Sequence, residues 1–400
     1  MKPRIGLFLG STPHKGGVFQ YSLSVLAALQ SLPEDEFEVI VAYLQDDWRP
    51  YLRNCRTVVQ LPFNPAAYLA VRLWRHCRLS TKAWHLIARR WHPIARRLIR
   101  QKCHLWLYPG QDEWSYMAPV PALASIHDLM HRYERRFPEV SAFLKFYRRE
   151  QHYKNMCRWS AGILADSATG KEQINESYGT PAHKVYELPY IAPAYMLTAA
   201  THRQSPGRLQ LPENYIFYPA QFWAHKNHLN LIEAVAILRD AIPDLNLVLV
   251  GAPKNGYKQL KQRINSLNLN HCIHFLGYVP NRDVPELYRR ARAMIMPSFF
   301  GPTNIPPLEA FAAGCPAAVS NIYGMPEQVG KAALLFDPHS VREIALTIYK
   351  LWTDPSLRAD LSRWGMQRFK QWNQAHFNQR LADIIRDVLR SLSTTHSAAV

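Results

Sequence analysis

One segment carries the residue types best suited to binding an anionic ligand. It begins with an apolar run, 293–296, and passes through a Gly- and Pro-rich loop to Pro306, Pro307, Leu308 and Glu309. Proline is favoured in the first helical turn, and a glutamate there is stabilised by the helix dipole. A helix start that follows a parallel strand is a common position for phosphate binding. Glu309 can also accept hydrogen bonds from sugar hydroxyls, so the segment predicts a nucleotide-sugar site.

Two further positions suggest contacts to phosphate. Lys226 lies in a polar loop after the predicted strand 215–218 and can stabilise a diphosphate leaving group, although a single lysine is more often a plain surface residue. Gly16 and Gly17 precede a predicted helix, where glycine lets a ligand approach the backbone. Their surroundings lack the spacing of a dinucleotide fingerprint or a P-loop. The glycine pair therefore stays open between a ligand loop and a simple turn.

A polar pair, His127 and Asp128, follows the predicted strand 122–126 and should face a site at its carboxyl end. His131 completes a spacing of four between histidines, which resembles metal-ligand spacing, but no third ligand is suggested. Asp128 alone also suits a helix N-cap. The chain contains no Asp-x-Asp triplet. We therefore predict no metal site.

The positive charge is concentrated in one stretch. The formal net charge is +18, and residues 48–111 hold thirteen Lys and Arg but no Asp or Glu. Trp and aliphatic residues are interleaved with these cations, which suits helices lying on an anionic membrane surface. Solvated helical faces with buried Trp residues are the other interpretation that stays open. Nucleic-acid binding is disfavoured, because no nucleic-acid-binding motif accompanies the charge.

Length and composition predict two domains in a cytosolic protein. A chain of 400 residues exceeds one ordinary core. The six scattered cysteines form no C-x-x-C pair and indicate reduced residues. No signal peptide and no apolar run near 18 residues are recognised. Strands alternate with helices, which predicts parallel sheets, and residues 195–212 are predicted to link the two parts.

Taken together, these segments resemble glycosyltransferase family 4, the retaining sugar transferases of GT-B fold. The resemblance covers nearly the whole chain and is carried by YPAQFWAHKNHLNLIEA, HFLGYVP and PSFFGPTNIPPLEAFAAGCP followed by GMPEQVG. It implies an α/β protein with two Rossmann-like domains whose parallel sheets face a cleft. Residues 1–195 would bind the acceptor and residues 213–372 the nucleotide sugar, while helix 373–392 would pack back on the N-terminal domain.

The resemblance also implies roles for individual residues. Glu309 corresponds to the glutamate on the donor ribose, Lys226 to the lysine on the diphosphate, and His127 to the histidine near the transferred sugar; these three are the predicted catalytic residues. Gly17 corresponds to the glycine-loop residue near the phosphates, and Gly277 falls where backbone groups hold the base. The other residues predicted to bind the donor are Gly16, Gln221, Asn304, Ile305, Pro306 and Leu308.

Two positions depart from the family pattern. Gly301 stands where a second glutamate is often found, eight residues before Glu309, and Gln221 replaces an arginine five residues before Lys226. The diphosphate would then meet one side-chain cation instead of two, and Thr303 and Asn304 would replace part of the lost polar contacts to the sugar. These departures bear on donor identity and on the rate of turnover.

The resemblance implies transfer of a hexosyl unit, with mannosyl as a candidate, from a UDP- or GDP-sugar to a glycan or lipid-linked oligosaccharide. The reaction would retain the anomeric configuration, need no metal or cofactor, and serve cell-surface polysaccharide synthesis. We expect a cytoplasmic protein that can lie on the inner face of the cytoplasmic membrane. The alternatives are a degenerate GT-B protein that binds nucleotide sugar without turnover, and a GT-B-fold epimerase.

Overall fold

The computed structural model describes residues 2–12, 16–62, 64–77, 79–142, 144–198 and 210–397, so most of the predicted linker lies outside the described residues. The strands are β1 Arg4–Leu9, β2 Glu38–Tyr43, β3 Thr57–Gln60, β4 Leu105–Tyr108, β5 Ala122–Ser125, β6 Gly162–Ala165, β7 Val185–Glu187, β8 Ile216–Pro219, β9 Leu247–Val250, β10 Ile273–Gly277, β11 Ala293–Met296, β12 Ala317–Ser320 and β13 Ala333–Phe336. The helices are α1 Gly16–Gln30, α2 Pro65–His76, α3 Thr81–Trp91, α4 Pro93–Arg100, α5 Trp114–Met117, α6 Met130–Tyr133, α7 Pro138–Ser141, α8 Leu144–Trp159, α9 Ala168–Tyr178, α10 Tyr195–Thr198, α11 His228–Leu238, α12 Tyr257–Ser266, α13 Val284–Arg290, α14 Ile305–Ala313, α15 Met325–Val329, α16 Val341–Thr353, α17 Pro355–Gln371 and α18 Gln374–Ser397. None of these helices is long and apolar enough to cross a bilayer.

The chain forms two compact units. Unit 1 comprises residues 1–129, 147–189 and 374–400, and unit 2 comprises residues 130–146 and 190–373. Residues 130–146 and 190–195, which lie within the predicted N-terminal domain, belong to unit 2 in this division, and so does Asn373. Helix α18 belongs to unit 1.

Unit 1 is built on a parallel sheet with strand order β3-β2-β1-β4-β5-β6-β7. Its central strands are mostly apolar and buried on both faces, as expected for a parallel sheet covered by helices. Helix α18 packs against α1, and Arg386 of α18 forms two hydrogen bonds of 2.7 and 2.8 Å with the carboxylate of Glu36. The C-terminal helix is therefore part of the unit 1 core.

Unit 2 contains a second parallel sheet, with strand order β10-β9-β8-β11-β12-β13. In both units the strand order reverses once, between β1 and β4 in unit 1 and between β8 and β11 in unit 2. Open α/β sheets bind ligands at such a switch point, outside the carboxyl ends of the strands. The prediction of two Rossmann-like domains with parallel sheets is confirmed.

Candidate functional site

The loops that follow β8 and β11 meet at the switch point of unit 2. Lys226 ends a short 3-10 turn, Ala224–Lys226, after β8, and Asn304 precedes α14 after β11. The ammonium group of Lys226 donates to the Asn304 side-chain oxygen at 3.1 Å. Two residues 78 positions apart in sequence are thereby joined across the point where a Rossmann sheet binds its ligand.

Gly301 explains the position of Asn304. Its φ of +142° lies in a region that L side chains rarely adopt, and a Cβ there would lie 2.2 Å from Asn304 Nδ2. A glutamate at position 301 would therefore displace the Asn304 side chain from its present place beside Lys226. The departure from the family pattern at Gly301 is coupled to the Asn304–Lys226 contact.

The start of α14 offers fewer backbone donors than the sequence suggested. Pro306, which was predicted to bind the donor, has no N–H, and the same holds for Pro307. The Asn304 N–H donates to Gln328 Oε1 at 3.0 Å. The Ile305 N–H lies in the first turn of α14, where N–H groups have no acceptor within the helix. The charge of an anion at this helix start would therefore be balanced chiefly by Lys226.

Glu309 lies buried beneath two tyrosines and does not face open solvent. Tyr195 donates to its Oε1, and Tyr288 donates to its Oε2 at 2.6 Å. Burial raises the pKa of Glu309, and the hydrogen bonds from the two hydroxyls partly offset that rise. Both carboxylate oxygens therefore already accept a hydrogen bond within unit 2.

The remaining predicted residues of unit 2 are Gln221 in the loop after β8, Gly277 at the end of β10 and Leu308 within α14. The Gln221 side chain is exposed and accepts a hydrogen bond from Trp223 Nε1 at 3.0 Å. Gly277 ends β10 with a φ of +65°, and its carbonyl accepts the N–H of Gly251 at 2.9 Å. Leu308 is half-buried and packs against the core of unit 2.

Glu139 is a residue of this site that sequence reasoning missed. Its side chain is 6% exposed and lies on α7, within the 130–146 segment of unit 2. Oε1 accepts from His225 N at 3.2 Å and from His225 Nδ1 at 2.8 Å, and Oε2 accepts from Asn255 Nδ2 at 2.8 Å. Burial alone would raise its pKa, but these hydrogen bonds hold the pKa of Glu139 at about 2. An ionised Glu139 therefore anchors the turn that carries Lys226.

Aromatic contacts also connect the 130–146 segment to the turn that carries Lys226. Phe137 stacks on Phe299 with 5.7 Å between ring centroids, and the Arg136 guanidinium lies within 4.8 Å of both ring centroids. The Phe299 N–H in turn donates to the His225 carbonyl at 2.8 Å. The 130–146 segment thus packs on both loops of the unit 2 switch point.

The other predicted residues lie in unit 1. Gly16 and Gly17 are exposed and form the first positions of α1, and Gly16 has a φ of +62°. His127 follows β5, and its Nε2–H donates to the Pro109 carbonyl at 2.7 Å. Burial lowers the pKa of His127, although the bond to Pro109 opposes that shift. His127 Nε2 therefore carries a proton, since the carbonyl of Pro109 can only accept.

Comparison with known proteins finds similarity to glycosyl transferases, chiefly in the second half of the chain. Residues 202–368 match the family model described as glycosyl transferases group 1. The O-antigen chain mannosyltransferase B of Escherichia coli is 26% identical over 69% of this chain and 75% of its own length. The mannosylfructose-phosphate synthase of Agrobacterium fabrum is 25% identical over 62% of this chain and 59% of its own length.

Solved structures support the fold. The Anabaena protein HepE, solved with UDP and glucose, superposes with a TM-score of 0.69 at 17% identity, over 96% of this chain and 99% of its own. A sucrose-phosphate synthase from Thermosynechococcus elongatus gives 0.67 at 17% identity, over 98% of this chain and 100% of its own. The predicted resemblance to glycosyltransferases is confirmed, while membership of family 4 stays a prediction.

Proposed function

We propose that this GT-B protein is a retaining transferase that moves a hexosyl unit, mannosyl in our proposal, from a UDP- or GDP-sugar to a glycan or lipid-linked acceptor. One observation carries the proposal: Lys226 and Asn304 join the two loops of the unit 2 switch point, within the segment that matches group 1 glycosyl transferases. The names of the relatives, an O-antigen mannosyltransferase among them, support mannose and polysaccharide synthesis.

The chemistry follows from the charge that develops on the leaving group. As the bond from the sugar anomeric carbon to the diphosphate breaks, negative charge collects on the phosphate oxygens. The Lys226 ammonium and the Ile305 N–H would stabilise that charge, because fixed donors cost little reorganisation. Metal-independent transfer is part of the proposal, since the chain contains no Asp-x-Asp triplet for a metal-bound donor.

A binding screen followed by a transfer assay tests the proposal. Thermal shift against UDP, GDP and their sugars should identify one nucleotide that raises the unfolding midpoint. The matching radiolabelled sugar should then move to a glycan or lipid-linked acceptor. Binding without transfer to any acceptor would instead favour the degenerate-protein alternative, and interconversion of free nucleotide sugars would favour the epimerase.

We propose that the donor ribose reaches Glu309 by taking the place of the Tyr195 hydroxyl. Glu309→Ala should then weaken donor binding by about tenfold or more, because a hydrogen bond to a charged group contributes about 1.5–3 kcal/mol. The turnover number should fall less than the affinity, which calorimetry and saturation kinetics can separate.

Tyr195→Phe is the matched control for that prediction. It removes one internal donor to Glu309 but keeps the carboxylate, so donor affinity should be unchanged or higher. A donor affinity that drops equally in both variants would contradict direct ribose binding and indicate a structural role for the pair.

We further propose that helices α2 and α3 of unit 1 lie on an anionic membrane. Trp91 is 78% exposed and Leu86 is 72% exposed, whereas Trp84 is buried and donates to the Met117 carbonyl at 2.9 Å. The stretch therefore supports both interpretations of the sequence in part. Trp84 belongs to the core, whereas Leu86 and Trp91 are exposed, close in sequence to Arg89 and Arg90. A flat anionic surface fits the exposed part by charge and by hydropathy.

A basic cavity lined in part by the next helix, α4, also supports an anionic membrane as the partner. It measures about 580 Å³ and lies between the end of β3 and helix α4. Among the described residues, no carboxylate forms an ion pair with the three arginines that line it. They are Arg96, Arg97 and Arg100. Unpaired guanidinium groups suit phosphate headgroups.

Liposome co-sedimentation measures whether this surface binds an anionic membrane. Wild-type protein should bind vesicles rich in phosphatidylglycerol at low salt, and binding should weaken as salt rises. The double variant Leu86→Ser, Trp91→Ser should lose most of the binding, while Leu346→Ser, which alters an exposed leucine of unit 2, should not. No binding by the wild type, or equal binding by the double variant, would refute the membrane proposal.

A further inference from the structure

The switch point of unit 1 holds a buried acid that the proposed function does not use. Strands β1 and β4 are neighbours there, and the strand order reverses between them. The loop after β1 contains Gly10 and Ser11, and the loop after β4 contains Gly110 and Asp112. This is the position in unit 1 that corresponds to the Lys226–Asn304 position in unit 2.

Two glycines leave the space that the Asp112 carboxyl occupies. A Cβ on Gly10 would lie 2.3 Å from Asp112 Oδ1, and a Cβ on Gly110 would lie 2.7 Å from Asp112 Oδ2. The Asp112 backbone is fixed separately, because its carbonyl accepts from the Ser115 hydroxyl at 2.8 Å. The carboxyl is therefore packed tightly without being needed to hold its own loop.

Three buried polar atoms at this position have no hydrogen-bond partner among the described residues. Asp112 Oδ2 is buried without a hydrogen bond, and the same holds for the Ser11 and Tyr108 hydroxyl oxygens. Burial raises the pKa of Asp112 to about 7, and the titratable groups that face it are the phenols of Tyr68 and Tyr108. Unsatisfied buried polar atoms destabilise a fold, so three of them at a ligand-binding edge need an explanation.

His127 connects this position to the predicted site. Its Nε2–H donates to the Pro109 carbonyl at 2.7 Å, and its backbone N–H donates to Gln111 Oε1 at 3.1 Å. The Tyr153 hydroxyl donates to the same Gln111 oxygen at 3.0 Å. The loop that presents Asp112 is thus held in place by the residue that sequence resemblance placed near the transferred sugar.

We propose that Asp112 accepts a hydrogen bond from a hydroxyl of the sugar acceptor, with Ser11 and Tyr108 as neighbouring polar groups of the same subsite. A ligand hydroxyl supplies the donor that the carboxylate lacks, and a polyol supplies several such groups together. The inference rests on the proposed function and assigns part of the acceptor site to unit 1.

The test compares Asp112→Asn with Asp35→Asn, which alters an exposed acid of the same unit. Asp112→Asn should raise the KM for the acceptor about tenfold or more and leave nucleotide affinity unchanged. Asp35→Asn should change neither. Unchanged acceptor KM in an active Asp112→Asn enzyme would overturn the inference while leaving the proposed function intact.

Thermal unfolding at pH 8 supplies a readout that a structural role would not reproduce. The folded pKa of Asp112 lies above the ordinary value of 3.8, so the free energy of unfolding falls as pH rises between them and stays lower above about pH 7. Asp112→Asn removes that buried charge and should raise the unfolding midpoint at pH 8. If the wild type transfers no sugar to any acceptor, the proposed function fails and the inference fails with it. In an active enzyme, a lower unfolding midpoint for Asp112→Asn at pH 8 would show that the carboxyl stabilises the fold and would overturn the inference.

Discussion

Lys226→Ala is expected to lower kcat/KM by about 100- to 1,000-fold, the usual loss when a group that stabilises developing charge is removed. The effect should be large because Pro306 and Pro307 supply no N–H and Gln221 stands where the family has an arginine. Few other donors are then available to the departing diphosphate. Steady-state transfer with the donor identified by thermal shift measures the loss.

A second lysine of the same unit gives the control. Lys254 lies 5.1 Å from the Trp223 ring centroid, close in the fold to the loop after β8, and Lys254→Ala removes the same charge. Its kcat/KM should stay within about threefold of the wild type, because its ammonium lies over the Trp223 ring and not beside Asn304. Equal losses in both variants would show that net charge matters here and the position of Lys226 does not.

Glu139→Gln should lower kcat/KM by about 10- to 100-fold, although Glu139 is a positioning residue. A glutamine amide has one acceptor oxygen, so its NH₂ group must face either the two His225 donors or the Asn255 NH₂. A donor facing a donor would shift the turn at 224–226 and move the ammonium of Lys226 away from Asn304.

A double-mutant cycle shows whether Glu139 acts through the lysine. In the Lys226→Ala background, Glu139→Gln should cause little further loss, since residues that act through one another are not additive. Glu134→Gln is the matched control: Glu134 lies on the same segment and accepts from the Tyr323 hydroxyl at 3.0 Å. Fully additive losses, or an equal loss from Glu134→Gln, would contradict the positioning role.

Much of the fold was predictable because its strands are apolar and its helices are periodic. The apolar run at 293–296 is strand β11, and the predicted strands 122–126 and 215–218 correspond to β5 and β8 within one residue at each end. Strand β12, Ala317–Ser320, was missed because its small residues resemble a loop, and β7 has three residues. Helices α17 and α18 are separated by a break at 372–373 that has no Pro or Gly to mark it; there the chain passes from unit 2 to unit 1.

The candidate site was predictable where it depends on strand ends and not where it depends on distant contacts. The sequence placed Lys226 after a strand, and the structure places it there. It did not predict Glu139, which lies 86 residues before its partner His225. The sequence also predicted that Glu309 faces a ligand. It did not predict the hydrogen bond to Glu309 Oε1 from Tyr195, because that tyrosine lies 114 residues away. Pairings of this kind are set by tertiary packing.

The central claim is that Lys226 binds the phosphate farthest from the nucleoside, and calorimetry of a nucleotide pair tests it most directly. Titration of the preferred nucleoside diphosphate and its monophosphate into the wild type should show about tenfold or greater preference for the diphosphate, the scale of one charge-assisted hydrogen bond. In Lys226→Ala that preference should largely disappear, while monophosphate affinity stays the same. An unchanged preference for the diphosphate in the variant would contradict the account.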